Sequence, residues 1–450
     1  MILAGNAIPQ TARPPAIHAL GRVCERLRVR CRNWALPILL AIAALALSVP
    51  RLATPSGYVF DELYYAYTAS NYVAGGTDAY RWDEPPRDHP TIEWTHPPVA
   101  KLLIAADILV FGDNPIGWRA VSVLFGAVGI VVTFLLARRL TGDQRIAALA
   151  AGLLLLDGLY LVESRTGMSN LFLLVFANAA LLAFSRVLTL PAPRIGPSLL
   201  ATGALLGLAV ATKWSAVALL GLIGLAYSWR AVRIWRESPQ LLDSYLRWGP
   251  IAFVALPAGI YLVSYGHFFL TGHDWGDFVA LHRAMLAYHR DLGVVHPYSS
   301  AWWEWPLAAR PVWYYAHRSA GIGSFVFANG NPLLYWPMVV AVAWVAVDWW
   351  GRRPQALTVL GIGFFGQWLP WAFSPRGTFI YHFLPAVPLG CVALAVVLAD
   401  AWRRGGWQRR VAAVYVVGAV ATFAFFYPLT TAMPLTPDQV ALRLWFDSWR

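Results

Sequence analysis

The sequence is poor in charged residues and in cysteine. Only 13% of its 450 residues are Asp, Glu, Lys or Arg, whereas soluble domains carry about 25%. Together with 58% hydrophobic residues, this shortage excludes an ordinary soluble protein. The chain has three cysteines, Cys24, Cys31 and Cys391, and their spacing fits neither a disulfide framework nor a zinc site.

Acidic residues are also fewer than basic ones, 23 against 35, which leaves a formal net charge of +12. In a soluble protein such a surplus favours nucleic acid as the partner. Here the Lys and Arg residues form short clusters between apolar runs, which is how membrane proteins encode their orientation. We therefore predict a topology signal and no nucleic-acid partner. The basic segment 1–33 lacks the small-residue cleavage site of a signal peptide, so we interpret it as a cytoplasmic leader.

Apolar segments of spanning length dominate the rest of the chain and predict an all-α polytopic membrane protein with about eleven transmembrane helices. The apolar segment 99–111 is too short, at about 13 residues, to cross about 30 Å of hydrocarbon, and it contains Lys101 and Asp107. We therefore predict that it lies along the membrane interface. The predicted spans are residues 34–50, 116–137, 146–162, 168–185, 198–212, 214–229, 248–270, 332–350, 356–373, 378–400 and 411–427.

Arginine clusters orient these spans. If 99–111 does not cross, five connections share the cytoplasmic side with the leader, and each is an arginine cluster. We expect an N-terminal membrane domain at 34–245 with an outer loop at 51–113, and a C-terminal membrane domain at 246–450 with an outer loop at 271–331. The five clusters are Arg138–Arg145, Arg186–Arg194, Arg230–Arg247, Arg352–Arg353 and Arg403–Arg410.

Two large loops on one face, without inverted half-repeats, favour an enzyme with its site at the outer membrane surface over a symmetric transporter. The adjacent carboxylates of Asp61 and Glu62 follow the first span, where they are costly unless solvated or used. A solvated loop, or a helix start capped by Asp61, is the alternative. His96 forms a second cluster with Lys101, and by itself it also fits a structural role.

Cations recur at one predicted outer depth, where positive charge is disfavoured. Snorkelling explains any one of them, but not all of them together. Arg165 can pair with a phosphate bidentately, or with the carboxylate of Glu163 or Asp61. Tyr381 and His382 lie at the same depth. This pattern indicates a site for an anionic lipid headgroup beside a general base, and its cations are Arg165, Lys213 and Arg376.

In this order, the clusters resemble the protein O-mannosyltransferase family of polyprenyl-phosphate-dependent GT-C glycosyltransferases, in its short bacterial form. The resemblance covers about residues 50 to 450. The residues that carry it are Phe60-Asp61-Glu62 with Tyr64-Tyr65, His96-Pro97-Pro98 through Leu103, Asn114-Pro115 through Arg119, Leu156-Asp157-Gly158-Leu159, Glu163-Ser164-Arg165, Thr212-Lys213-Trp214-Ser215, His296-Pro297 through Ser300, Trp303 through Pro306, Arg310-Pro311 through Tyr315, Gly330-Asn331-Pro332 and Tyr381-His382 through Pro388.

The resemblance implies inverting transfer of mannose from polyprenyl phosphate mannose to Ser or Thr hydroxyls of proteins, at the outer face of the bacterial cytoplasmic membrane. It implies that Asp61 is the general base and that Glu62 orients the acceptor. It also implies no required cofactor, with a divalent metal left open, and as partners a secreted or membrane protein, membrane lipids and the secretion translocon. The implied donor-phosphate contacts are Arg165, Lys213, Arg376 and Lys101, and the implied substrate contacts are His96, Asn170, Tyr381 and His382.

Asn170 departs from the family pattern, which has Asp at this position, and the change removes a carboxylate that could help to bridge a metal. Two other functions fit the sequence. One is a GT-C transferase that glycosylates a lipid or a cell-wall glycan. The other is a transporter of the lipid-linked sugar, which needs ionisable residues along a path through the bilayer. Here those residues stop at the outer third.

Overall fold

The computed structural model describes residues 34–82, 89–291 and 296–450, so the predicted leader lies outside the described residues. Helices make up most of this part of the chain. They are α1 (Trp34–Ser48), α2 (Glu62–Ala74), α3 (Val99–Phe111), α4 (Pro115–Thr141), α5 (Gln144–Leu155), α6 (Gly158–Glu163), α7 (Asn170–Val187), α8 (Gly196–Thr212), α9 (Ala216–Glu237), α10 (Leu242–Pro250), α11 (Leu256–Ser264), α12 (Gly266–Leu270), α13 (Trp275–Asp291), α14 (Pro332–Trp349), α15 (Pro354–Trp368), α16 (Val387–Arg404), α17 (Gly406–Thr430) and α18 (Pro437–Ala441).

Eight helical segments of the described chain are long and apolar enough to cross a membrane. Three shorter apolar helices, α1, α5 and α8, complete the set. Together these eleven elements overlap the eleven predicted segments, so the predicted helices are confirmed. Which of the shorter ones cross the bilayer is not given by length and composition, and the count of eleven spans stays a prediction.

The segment predicted to lie along the interface is a helix with the predicted bounds. α3 runs from Val99 to Phe111, and Gly112, with φ of 82°, ends it in a conformation that favours glycine. Ala100 and Ile104 are fully buried, whereas Leu109 and Val110 are more than two-thirds exposed. The helix therefore buries one end in the protein and presents an apolar tip at the other.

Two predicted spans are interrupted. In 146–162, α5 stops at Leu155, and the Asp157 carboxylate accepts hydrogen bonds from the backbone N–H of Tyr160, at 3.2 Å, and of Asn331, at 3.0 Å. This buried carboxylate caps α6 and ties it to the start of α14. In 248–270, a π-helical turn and two prolines divide the span, because proline removes a backbone donor from the helix.

The segment 271–331, predicted as an outer loop, adds a β-hairpin to a mostly helical fold, which the all-α prediction did not include. Strands β1 (Val312–Ser319) and β2 (Ile322–Ala328) pair antiparallel. They are joined by Ala320 and Gly321, whose φ values of 48° and 77° suit a tight two-residue turn. Gly323 of β2 pairs in turn with Leu435. The aromatic, alternating sequence of β1 was compatible with a strand, but apolar content alone did not separate it from loop.

α7 and α16 are the most enclosed of the long helices. In the segments Asn170–Val187 and Ile380–Arg404, which contain them, 78% of the most apolar stretch is buried. At one end of the bundle, the start of α7, the end of α8 and the start of the segment Ile380–Arg404 meet. The closest link there is from Lys213 Nζ to Asn170 Oδ1, at 2.9 Å. The packing of three buried helix ends thus gathers polar groups that are far apart in sequence.

Candidate functional site

Two neighbouring cavities occupy this end of the bundle. The first, the polar cavity, has a volume of about 430 Å³ and opens beside the start of α2 and the loop before Ile380. The second, the apolar cavity, has a volume of about 310 Å³ and runs between α7, α9 and α15 past Leu173, Ala177 and Leu219. The residues that line both are His96, Asn170, Lys213, Arg376, Tyr381 and His382.

Asp61 lines the polar cavity and is half-buried. Its side chain makes no capping hydrogen bond to α2, so it is not the helix cap that was the alternative. Among the described residues no donor is bonded to its carboxylate. Burial raises the pKa of Asp61 to about 7, against the attraction of Lys213. Phe60, in the left-handed region with φ of 47°, turns the chain immediately before it.

Glu62 lines neither cavity, so it cannot orient the acceptor, its implied role, by direct contact. It is fully buried, and its two oxygens accept from Arg119 Nε and Nη2, both at 2.8 Å, and from the N–H of Val59 and of Gly167, both at 2.9 Å. Gly167 can approach because a Cβ there would lie 2.4 Å from the carbonyl oxygen of Trp118. Glu62 therefore has no free lone pair for a substrate and instead fixes the loop that carries Asp61.

Lys213 and Arg376 face the carboxylate of Asp61 across the cavities. Lys213 Nζ bonds Asn170 Oδ1 and lies 5.7 Å from the centroid of the Tyr381 ring. Burial and the charge of Arg376 lower the pKa of Lys213 to about 8, while Asp61 opposes that shift. Within the described residues, the Arg376 guanidinium has neither a carboxylate partner nor a hydrogen-bond acceptor. The site thus holds two cations and one unpaired carboxylate.

Arg165 is held elsewhere, so the three predicted cations do not converge. Its Nη1 donates to the carbonyl oxygens of Ser48 and Pro50, the latter at 2.6 Å, and its Nη2 donates to that of Arg51 at 3.1 Å. Ser48 is the last residue of α1, and its carbonyl lacks a partner within the helix, while Pro50 and Arg51 lie in the turn that follows. Arg165 lines neither cavity. It anchors α1 and does not contact the space where a donor phosphate would bind.

Lys101 is also withdrawn from the cavities. Its Nζ donates to Glu93 Oε2 and to the Glu93 carbonyl, both at 2.6 Å, and to the His96 carbonyl at 2.7 Å. Because an ammonium group has three protons, no donor remains for a phosphate. Lys101 instead orients the segment that presents His96.

The two predicted histidines line both cavities as expected. The His96 ring lies 5.1 Å from that of His289, whose Nε2 bonds the carbonyl oxygen of Thr95 at 2.7 Å. Burial lowers the pKa of His289 to about 4 and places that of His96 well below its usual range, helped by Lys213. Both rings are therefore neutral near pH 7. His382 accepts a bond from Phe379 N–H at 3.1 Å, which fixes its ring.

A buried network behind Lys213 joins the predicted residue Asn170 to Glu163 and Tyr314, which were not predicted as site residues. Glu163 Oε1 accepts from Tyr314 Oη at 2.5 Å and from Asn170 Nδ2 at 3.1 Å, and Asn170 Oδ1 accepts in turn from Lys213 Nζ. Burial raises the pKa of Glu163 to about 7. Asn170 thus separates a carboxyl group from an ammonium group. Tyr314 belongs to one of the motifs that carry the family resemblance. Its hydrogen bond to Glu163, 151 residues away, left no signal in the sequence.

No three His, Cys, Asp or Glu side chains in the described ranges gather as a metal site requires. The chemistry that the geometry offers is that of a free carboxylate which can accept a proton, two cations which can hold an anionic group, and an adjoining apolar chamber. Such a set suits transfer from a lipid-linked phosphate.

Comparison with known proteins gives a consistent result. Residues 38–270 match the family model described as dolichyl-phosphate-mannose-protein mannosyltransferase, and residues 274–449 match the C-terminal four-transmembrane region of protein-O-mannosyltransferase. Similar curated proteins include polyprenol-phosphate-mannose–protein mannosyltransferases of Mycobacterium tuberculosis, 29% identical over 94% of this chain and 92% of the relative, and of Corynebacterium glutamicum, 28% identical over 94% of each.

Solved structures show the fold. A Saccharomyces cerevisiae protein O-mannosyltransferase complex bound to the sugar donor superposes with a TM-score of 0.79 at 15% identity, over 93% of this chain and 92% of that one. ArnT from Cupriavidus metallidurans bound to undecaprenyl phosphate gives 0.59 at 17% identity, over 87% and 65%. The architecture is therefore that of GT-C membrane glycosyltransferases.

Proposed function

The chain belongs to the dolichyl-phosphate-mannose-protein mannosyltransferase family, and on that premise we propose that this glycosyltransferase moves mannose from polyprenyl phosphate mannose to Ser or Thr hydroxyls of proteins. The reaction inverts the anomeric centre and takes place at the outer face of the bacterial cytoplasmic membrane, with the N-terminus in the cytoplasm. The observation that carries this proposal is the unpaired carboxylate of Asp61 facing two cations at a cavity that adjoins an apolar chamber.

Asp61 is the general base. The acceptor hydroxyl forms a bond to the anomeric carbon, its proton passes to the Asp61 carboxylate, and the bond from that carbon to the phosphate oxygen breaks. A carboxyl group with a pKa of about 7 is close to the operating pH, where a positioned base contributes about 10²–10⁴-fold. Its lack of a competing hydrogen bond in the described residues leaves the carboxylate available for that proton.

Lys213 and Arg376 receive the leaving phosphate. A phosphodiester becomes a phosphomonoester, so its negative charge grows in the transition state, and cations already in place stabilise that growth. The apolar cavity beyond them accommodates the first part of the polyprenyl chain, because its lining is mostly hydrocarbon. His96, Asn170, Tyr381 and His382 line the space shared by both cavities and contact the sugar or its phosphate.

The test is the variant Asp61→Asn, assayed with polyprenyl phosphate mannose and a Ser/Thr peptide. We expect transfer to fall by at least about 10²-fold while donor binding stays intact, because only proton transfer is lost. Donor binding lost together with activity, at unchanged thermal stability, would mean that Asp61 is a ligand or anchor.

The acceptor class is tested in the cell. Secreted proteins from strains with and without the gene are compared by mass spectrometry, and we expect hexose on Ser or Thr that disappears in the deletion strain. Unchanged protein hexosylation together with a lost glycolipid or cell-wall glycan would assign the enzyme to those acceptors instead.

A further inference from the structure

A third cavity lies at the opposite end of the bundle from the candidate site. The segment Ile380–Arg404 is 25 residues long; its first turn carries Tyr381 and its last turn lines this cavity. The volume is about 250 Å³, and we call it the arginine cavity after the four guanidinium groups on its wall. They belong to Arg352, Arg353, Arg403 and Arg404.

The lining keeps an excess of positive charge. Two carboxylates, those of Asp348 and Asp400, share the wall with the four arginines. Asp348 pairs with Arg352, and Asp400 pairs with Arg404 at 2.7 Å. These pairs join residues one helical turn apart with exposed side chains, and such pairs contribute little. Both guanidinium groups can therefore exchange a carboxylate for a better anionic partner.

The other two arginines are anchored to the helix ends around the cavity. Arg403 Nη2 bonds Asp143 Oδ2 at 2.8 Å. Arg353 Nη1 donates to the carbonyl oxygens of Leu140 and Thr141, at 3.1 and 3.0 Å. Among the described residues Arg353 has no carboxylate partner. Its guanidinium is hydrogen-bonded to helix carbonyls, which carry no net charge. Its positive charge therefore adds to the positive potential of the pocket.

The wall changes from apolar to charged along both helices that form it. On α14 and the turn after it, Trp344, Asp348 and Arg352 follow each other at intervals of four and share one face. Val396, Asp400 and Arg404 do the same on α16. Trp344 is 58% exposed, on a helix whose apolar length would face lipid. A ligand with a hydrocarbon part and an anionic end matches this gradient.

We propose that the arginine cavity binds the phosphate of an anionic phospholipid, with an acyl chain along the apolar stretch beside Trp344. Guanidinium groups hold phosphate oxygens with paired, charge-assisted hydrogen bonds, and basic pockets between membrane helices suit such headgroups. A free phosphate shares the charge chemistry but gains nothing from the apolar wall. The proposal is independent of the mannosyltransferase activity, since it concerns the other end of the bundle.

The test is native mass spectrometry of the purified full-length protein, titrated with phosphatidylglycerol or with phosphatidylcholine of the same acyl chains. We expect the anionic lipid to bind at least about tenfold more tightly. The double variant Arg352→Gln/Arg404→Gln should lose about that factor for phosphatidylglycerol alone. The matched control is Arg409→Gln/Arg410→Gln, which removes the same charge from the following helix without touching the cavity wall. It should change binding by less than about twofold.

Several outcomes overturn the proposal. Equal binding of the two lipids to the unaltered protein does so without any variant, and so does an equal loss in the control pair. Glycerol 3-phosphate that binds as tightly as the lipid would assign the cavity to a free phosphate. If the double variant does not fold, the single variants Arg352→Gln and Arg404→Gln, each of which should weaken binding of phosphatidylglycerol alone, and the comparison of the two lipids still decide the question.

Discussion

At the residue scale, neighbouring carboxylates have opposite roles. Asp61 and Glu62 straddle the start of α2, and successive helical residues point about 100° apart. One side chain therefore faces the polar cavity while the other enters the core and meets Arg119. Removing one partner of such a buried ion pair costs about 3–5 kcal/mol, because the other charge is left unpaired. We therefore expect Glu62 to act on stability rather than on the chemistry.

The activity should depend on pH through Asp61 and Lys213. The base must be deprotonated, so kcat/KM should rise with pH up to the Asp61 pKa of about 7. Lys213 must be protonated to bind the phosphate, so kcat/KM should fall above the Lys213 pKa of about 8. Lys213→Arg should remove the alkaline fall, because arginine stays charged at every accessible pH. Steady-state kinetics from about pH 5 to 10 give the profile, and an unchanged alkaline limb in Lys213→Arg would rule out Lys213 as its source.

Asn170 should set the charge state of Lys213. Its amide oxygen is 2.9 Å from Lys213 Nζ, so Asn170→Asp places a carboxylate against the ammonium group and raises the pKa of Lys213. We expect the alkaline limb to move up by about one pH unit or more. Asn170→Ala is the control, since it removes the contact without adding charge. The same upward shift in both variants would show that the lost amide, and not the new charge, is responsible.

At the element scale, the first helix is attached by Arg165, whose predicted depth in the membrane had assigned it to the donor phosphate. Arg165 lies on the turn before α7 and holds the last carbonyl of α1 and two carbonyls of the turn that follows it. Its outer depth stays a prediction, and the direction of its side chain depends on where α1 ends relative to that turn. Short apolar helices such as α1 gain much of their stability from such tertiary contacts.

Arg165→Ala should therefore destabilise the protein and leave donor affinity unchanged. The buried carbonyl of Ser48 loses its donor, and a buried unsatisfied group costs about 1–3 kcal/mol, whereas Pro50 and Arg51 are exposed and the Arg51 carbonyl keeps the N–H of Thr54. Thermal denaturation in detergent measures the loss, and the donor KM serves as the second measurement. Lys213→Ala is the comparison, with a raised donor KM and a smaller change in melting temperature. A raised donor KM in Arg165→Ala at normal stability would restore Arg165 to the donor site.

At the scale of the whole molecule, the topology stays the central prediction. Reporters fused after Thr141 and after Arg404 should read as cytoplasmic, and one fused after Ala320 as external, because every predicted cytoplasmic connection is an arginine cluster. Enzymatic reporter fusions measure the side directly. A cytoplasmic signal after Ala320, at the tip of the β1–β2 hairpin, would place the polar cavity on the wrong side for the proposed reaction.

The sequence by itself determined the membrane class, the positions of eleven apolar helices, the bounds of α3 and the family. Those follow from local quantities, since apolar length and the motif order are properties of short segments. It also indicated Asp61 and Lys213, because an unexplained charge in an apolar chain marks a site. Only the tertiary structure decided which neighbouring charges face that site. Arg165, Lys101 and Glu62 turned away because carbonyls and counter-charges from distant segments surround them, and a buried charge takes the partners that packing provides.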